Sequence, residues 1–157
     1  MRRYLVVANQ TLGSDVLHRT VLSRLGQVPG DVHLLAPATH ADHYTAALAA
    51  LTADGAAGGL PRSVAESWRR RDTVRLGAAL ERLRLDGIHA TGAVGDPNPM
   101  LAIRRVLDRW SAHEVILATL PAGASRWLGL DLPTRVARRF GLPVVHVTAP
   151  LPQATAT

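Results

Sequence analysis

Three polar or glycine-containing segments of this chain follow apolar runs that have the length and composition of buried strands. They begin at Asn9, Gly95 and Thr119, directly after the first, third and fourth of these runs. Open parallel sheets bind ligands outside the carboxyl ends of their strands, where the strand order reverses. In the order 3-2-1-4-5 this point lies between strands 1 and 4, with the turn after strand 3 at the same rim. The ligand contacts predicted at this rim are Asn9, Thr11, Gly13, Gly95, Asp96, Thr119, Gly123, Ser125 and Arg126.

The predicted rim would suit a small anionic ligand. Free amides at helix N-termini and the guanidinium of Arg126 are groups that hold carboxylates and phosphates. Each residue also has an ordinary structural alternative. The glycines would make turns, and Ser14 and Asp96 would cap helices. The sequence leaves both interpretations open.

The residue types predict no catalytic group and no metal. The chain lacks Gly-x-Ser-x-Gly, and it has neither Lys nor Cys, which excludes a P-loop lysine, a Schiff base and a thiol nucleophile. The 12 acidic residues do not cluster as a catalytic pair. His40 and His43, with Asp42 between them, are of metal-ligand type, but nothing else in the sequence supports a metal site there. We therefore lean against an enzyme.

Five short apolar runs alternate with amphipathic helical patterns along the chain. Nearly continuous apolar strands joined by helices are typical of a parallel sheet that is covered on both faces. The fold class expected is α/β, a three-layer α/β/α arrangement with a five-stranded parallel sheet. One domain is predicted over residues 1–148, and the polar, Pro- and Ala-rich residues 149–157 are predicted to be a disordered tail.

Composition bounds the partners and the location. The net charge is +6 and every basic residue is Arg, but aromatic residues make up only 4% of the chain and do not interleave with the arginines. Nucleic acid is therefore an unlikely partner. No apolar segment approaches the roughly 20 residues of a membrane span, and no leader pattern follows Met1. We expect a cytoplasmic protein without membrane attachment.

Four segments together resemble the universal stress protein family. They are residues 4–9 (YLVVAN), 94–97 (VGDP), 115–119 (VILAT) and 135–147 (RVARRFGLPVVHV), whose order and spacing agree with the family over residues 4–147. The resemblance implies a Rossmann-like fold with sheet order 3-2-1-4-5, within the adenine nucleotide alpha hydrolase-like superfamily. It also implies a role in stress response, an adenine nucleotide such as ATP as ligand, and a homodimer through strand 5. An exposed apolar edge strand invites such pairing.

The chain departs from the nucleotide-binding members of that family at two places. Asn9 stands where they have Asp at the end of strand 1. After strand 4 they carry Gly-x-x-Gly-x9-Gly-[Ser/Thr], whereas this chain has only Gly123 and Gly129, followed by Leu130 and Asp131. Side chains would then lie where phosphates contact bare backbone. The sequence thus favours a small stress-like protein that acts by binding, without evident catalysis. The alternatives are an ATP/AMP-binding sensor of the same fold and a nucleotide hydrolase-like enzyme.

Overall fold

The computed structural model describes residues 1–39, 62–123 and 125–150, except for the side chains of 62–65, 126 and 129. The strands are β1 (Arg2–Val7), β2 (Gly30–Pro37), β3 (Ala90–Gly95), β4 (Glu114–Thr119) and β5 (Val144–Thr148). The helices are α1 (Asp15–Gln27), α2 (Arg62–Leu85), α3 (Pro99–Leu107), α4 (Arg126–Gly129) and α5 (Leu132–Phe140). The segment that contains His40, Asp42 and His43 lies outside the described residues.

The five described strands form one parallel sheet in the order β3-β2-β1-β4-β5. This confirms the predicted fold class and strand order. The central strands β1 and β4 are buried over most of their length because helices cover both faces of the sheet. The carboxyl ends of β1 and β4, on either side of the point where the order reverses, open onto the same rim.

Two apolar cores lie on opposite faces of the sheet. On one face, alternate residues of the central strands such as Tyr4, Val6 and Leu34 pack with α1 and α2. On the other face, Leu5, Val7, Leu35 and their neighbours pack with α3 and α5. The alternation follows from the two-residue period of a strand, so β1, β2, β4 and β5 contribute to both cores, whereas β3 contributes Ala90 and Val94 to the first core only.

The helix starts are set by specific caps. Ser14 Oγ accepts a hydrogen bond from Leu17 N, 3.4 Å away, and so caps α1 as predicted. The cap of α3 is Asn98, whose Oδ1 accepts from Met100 N at 3.1 Å and from Leu101 N at 3.3 Å. Pro99 follows at the first helical position, where its missing N–H costs nothing.

Two local predictions need correction. The apolar run 88–94 predicts that β3 starts at Ile88, but the strand starts at Ala90. Gly87 has a φ of 77°, and Ile88 N donates to Leu83 O at 3.1 Å. Ile88 therefore completes the C-terminal closure of α2 and does not begin a strand. The loop between β4 and α5 also contains the short helix α4, which Pro121 and the two glycines of the loop concealed.

The last strand, β5, is an edge of the sheet in the part of the chain that the structure describes, as predicted. Ala149 N donates to Thr119 O at 2.9 Å, and Pro143 O accepts from Val115 N at 2.9 Å. Odd-numbered residues of this segment therefore bond to β4, whereas even-numbered residues such as His146 direct their backbone N–H to the open edge. Ala149 is fully buried. Residues 151–157 lie outside the described part.

At the opposite, amino end of the sheet, a buried carboxylate joins three elements. Glu114 is 1% exposed and opens β4. Its Oε1 accepts from Arg24 Nε at 2.7 Å and its Oε2 from Arg2 Nη2 at 3.3 Å. The two guanidiniums supply the pairing that a buried charge requires. This end is consequently closed by a structural network.

None of the described helices is long and apolar enough to cross a bilayer.

Candidate functional site

A cavity of about 600 Å³ opens at the carboxyl end of the sheet, beside the reversal between β1 and β4. This volume lies within the range of about 300–1,000 Å³ that is typical of small-molecule sites. Its floor comes from the ends of β1, β2 and β4, and its walls come from α2, the start of α3, α4 and α5. The lining residues are Asn9, Gln10, Thr11, Pro37, Ala38, Thr39, Trp68, Pro97, Asn98, Pro99, Met100, Ala118, Thr119, Leu120, Ser125, Trp127, Leu130, Leu132 and Arg135.

The structure brings together only some of the predicted ligand residues. Asn9, Thr11, Thr119 and Ser125 line the cavity. Gly13, Gly95, Asp96 and Gly123 are not part of its lining. The backbone of Arg126 begins α4, but its side chain lies outside the described residues, so its predicted ligand contact stays a prediction.

Gly95 and Asp96 have local roles of the kind that the sequence left open. A Cβ on Gly95 would lie 2.9 Å from Leu35 Cδ1 and 3.0 Å from Ala102 Cβ, so the missing side chain allows α3 to approach the sheet. Asp96 Oδ1 accepts from Asn98 N at 2.8 Å. Both residues thus shape the turn that carries the cavity wall.

Asn9 lies 7% exposed at the floor of the cavity, with both ends of its amide already bonded. Its Nδ2 donates to Pro37 O at 2.7 Å, and its Oδ1 accepts from Arg75 Nη1. An aspartate could not make the first of these bonds, because it has no donor when ionised. The amide therefore ties the end of β1 to the end of β2.

A second buried carboxylate, Asp72 on α2, holds the chain where it leaves β2. The residue is 1% exposed, and it accepts from Thr39 N at 2.9 Å and from Thr39 Oγ1 at 2.8 Å. Arg75 Nη1 lies 3.6 Å from Asp72 Oδ1 and also reaches Asn9. Asp72, Arg75, Thr39 and Asn9 form one network, here called the floor network, that fixes one side of the cavity.

The hydroxyl groups of the lining are also engaged within the protein. Thr119 Oγ1 lies 2.7 Å from His146 Nε2, and Thr11 Oγ1 donates to Ala118 O at 3.4 Å. Ser125 Oγ accepts from Leu128 N at 3.3 Å. These bonds fix the carboxyl end of β4 and the start of α4. They leave little hydrogen-bonding capacity for a ligand.

At α1 and α3 the side chains of Ser14 and Asn98 accept hydrogen bonds from first-turn amides, so these amides are already engaged. The N-cap of α5 is different. Asp131 has a left-handed backbone with a φ of 51° and makes no side-chain cap bond. One turn further on, the exposed Arg135 lines the cavity and forms no ion pair with any described residue.

The rest of the wall is largely apolar. Trp68 on α2 and Trp127 on α4 are half-buried, and Met100 and Leu120 also belong to the lining. Leu130 also lines the cavity and is 45% exposed. The sequence analysis gave no site role to Trp68, Trp127 or Arg135. The signal that was available for these residues is their position on elements that follow strand ends.

No group of three or more His, Cys, Asp or Glu side chains in the described ranges is placed to hold a metal ion.

No protein-family model matches the sequence, and no curated protein matches it. Solved structures do match. A universal stress protein family member from Burkholderia pseudomallei superposes with a TM-score of 0.63 at 12% identity, covering 94% of this chain and 96% of that one. The universal stress protein from Archaeoglobus fulgidus gives a TM-score of 0.60 at 12% identity, with 94% of each chain covered.

This chain has the universal stress protein fold. The resemblance suggested by the four sequence segments is confirmed at the level of the fold, over nearly the full chain. At 12% identity the likeness does not extend to individual site residues. What the cavity of this universal stress protein fold can bind therefore depends on the chemistry of its own lining side chains.

Proposed function

We propose that this chain is a cytoplasmic universal stress-like protein that acts by binding a small molecule in the cavity, as part of a stress response or its regulation. The observation that carries the proposal is the position of the cavity. It lies at the carboxyl edge of a parallel sheet, beside the reversal of strand order, where such sheets bind ligands. The floor network gives it one rigid side.

The hydrogen bonding of the lining supports binding over catalysis. A nucleophile needs an adjacent base, and that base needs a third group to orient it. Thr119 does face His146, but Thr119 is only 1% exposed, and no described residue bonds to the other ring nitrogen of His146. The hydroxyls of Thr11 and Ser125 bond to backbone groups, and that of Thr39 donates to the carboxylate of Asp72. The hydrogen bonds of the lining thus fix the shape of the cavity.

Native mass spectrometry of freshly purified protein tests this function, because a bound small molecule adds its mass to the folded chain. The matched variants are Leu130→Trp, which narrows the cavity mouth, and Leu85→Trp, which changes a residue 79% exposed and outside the lining. We expect the added mass to be lost from Leu130→Trp and kept by Leu85→Trp. Absence of any ligand, together with no thermal stabilisation by a metabolite panel, would refute the proposal.

An adenine nucleotide is the alternative ligand. The observation in its favour is that two tryptophans, Trp68 and Trp127, line a cavity at the switch point, since aromatic rings stack on bases. The mass of the co-purified molecule separates an adenine nucleotide from any other ligand directly.

A further inference from the structure

The cavity offers a ligand very few unused polar groups. Among the described residues, the amide of Asn9 is bonded at both ends, and Thr39 gives its N–H and its hydroxyl to Asp72. Thr119 is paired with His146, and Asn98 accepts from two amides of its own helix. A ligand rich in hydroxyl groups would have to compete with these bonds. Polar specificity must therefore come from elsewhere.

Arg135 is the one cation among the described residues of this lining, which also includes the exposed amide of Gln10. It projects from the first turn of α5, is exposed, and makes no ion pair within the described part of the chain. The N-terminus of the same helix lacks a side-chain cap, so no side chain of the N-cap residue neutralises the positive end of its dipole. Both features favour a negative charge, and a guanidinium binds a carboxylate with two parallel hydrogen bonds.

The apolar part of the same lining suits a ring. Trp68 and Trp127 approach the cavity from two different helices, with Met100 and Leu130 completing an apolar surface. Aromatic walls hold flat ligands by stacking, and methionine adapts to their edges. A triphosphate would need several cations or bare glycine amides, and the described lining supplies one cation.

We propose that the cavity selects a small aromatic or apolar molecule that carries one negative charge, with its carboxylate on Arg135 and its ring between Trp68 and Trp127. This rests on the proposed function and specifies its ligand class. The class differs from a nucleotide in charge and in its need for hydrogen bonds. A single charge matches a single guanidinium, and a ring matches a wall whose polar groups are already engaged.

The test compares naphthalene-2-carboxylate with naphthalene-2-carboxamide, two probes of one shape that differ in charge. Each is titrated by calorimetry, alongside ATP, at one ionic strength. We expect the carboxylate to bind at least tenfold more tightly than the amide, since a charged hydrogen bond contributes that much. The variant R135Q should abolish this difference. The control R138Q, on the same helix but outside the lining, should keep it.

Each other outcome overturns the inference. Equal affinities for the two probes in the unchanged protein would remove the role of charge, and an unchanged preference in R135Q would remove Arg135. Tighter binding of ATP than of the carboxylate would assign the cavity to nucleotides and leave the proposed function standing. If native mass spectrometry finds a ligand but neither probe binds, the ligand class is wrong. If no ligand of any kind binds, the proposed function fails as well.

Discussion

Replacing Asp72 with Asn should destabilise the protein more than any exposed charge change. The substitution keeps the shape of the side chain but replaces one acceptor oxygen with an NH₂ donor. Asp72 now accepts from both the N–H and the hydroxyl of Thr39, at 2.9 and 2.8 Å. In Asp72→Asn one of these two donors would face another donor in a site that is only 1% exposed. A buried donor without an acceptor carries its full desolvation cost.

The size of the effect follows from these contacts. Losing one hydrogen bond to a charged acceptor costs about 1.5–3 kcal/mol. The ion pair with Arg75, at 3.6 Å, adds at most about 1 kcal/mol, because the Arg75 side chain is 34% exposed and can be rehydrated. The expected total is about 2–4 kcal/mol, out of a stability of about 5–15 kcal/mol for a typical domain. At about 2–4 °C per kcal/mol, the thermal midpoint should fall by roughly 4–16 °C.

Urea unfolding measures this loss as a lower midpoint at an unchanged slope. The matched control is Asp86→Asn, since Asp86 pairs with His18 at 2.7 Å but has a side chain 42% exposed, so about 1 kcal/mol or less is expected. In a double-mutant cycle, Thr39→Ala should couple strongly to Asp72→Asn and negligibly to Asp86→Asn. A midpoint for Asp72→Asn no lower than that for Asp86→Asn would refute the reasoning.

Three further predictions concern other parts of the molecule. Asn9→Asp places a carboxylate oxygen against Pro37 O, now 2.7 Å from Nδ2, and should lower the free energy of unfolding by about 1–3 kcal/mol in urea; an unchanged midpoint would contradict the role of the amide. Burial lowers the pKa of His33, which contacts Thr91 and Trp110. As the pH falls below about 6.5, the ordinary pKa of histidine, the unfolded chain binds a proton at His33 before the folded chain does, so the free energy of unfolding should fall on acidification. This fall should be smaller in His33→Gln than in the control His89→Gln, because the His89 side chain is 76% exposed. Equal pH slopes in the two variants would show that His33 is not responsible. Finally, we propose that β5 pairs with a second copy of the chain. His146→Pro removes a backbone donor from the open edge and should sediment as a monomer at micromolar concentration, whereas His146→Ala should remain a dimer. If the unchanged protein is itself a monomer, this proposal fails.

The strands could be predicted because each is a short apolar run and the connections are helical, and their order was implied by the resemblance to the universal stress protein family. The sequence signal for secondary structure was weakest where one residue could belong to either of two elements. Ile88 extends an apolar run, yet Gly87 turns the chain so that Ile88 closes α2. The short helix α4 lies among glycines and prolines that indicate only a loop.

The floor of the cavity was within reach of the sequence, and its walls were not. Asn9, Thr11 and Thr119 follow directly from the rule that ligand sites lie at strand ends. Which helix face reaches over that rim depends on how the helices pack, and no local pattern encodes this. Trp68 looked like an ordinary core residue, and Arg135 looked like one of many exposed arginines.

The pairing of β1 with β4 has a consequence for how the chain folds during synthesis. Tyr4 lies beside Glu114, and Glu114 in turn holds Arg2 and Arg24. These two strands are neighbours in the sheet but are separated by most of the chain, a connectivity that slows folding. A growing chain that has made β1, β2 and β3 still lacks the neighbour that covers the apolar inner edge of β1. We expect that edge to stay open until the ribosome has released Thr119, and chains truncated before residue 114 to be prone to aggregation.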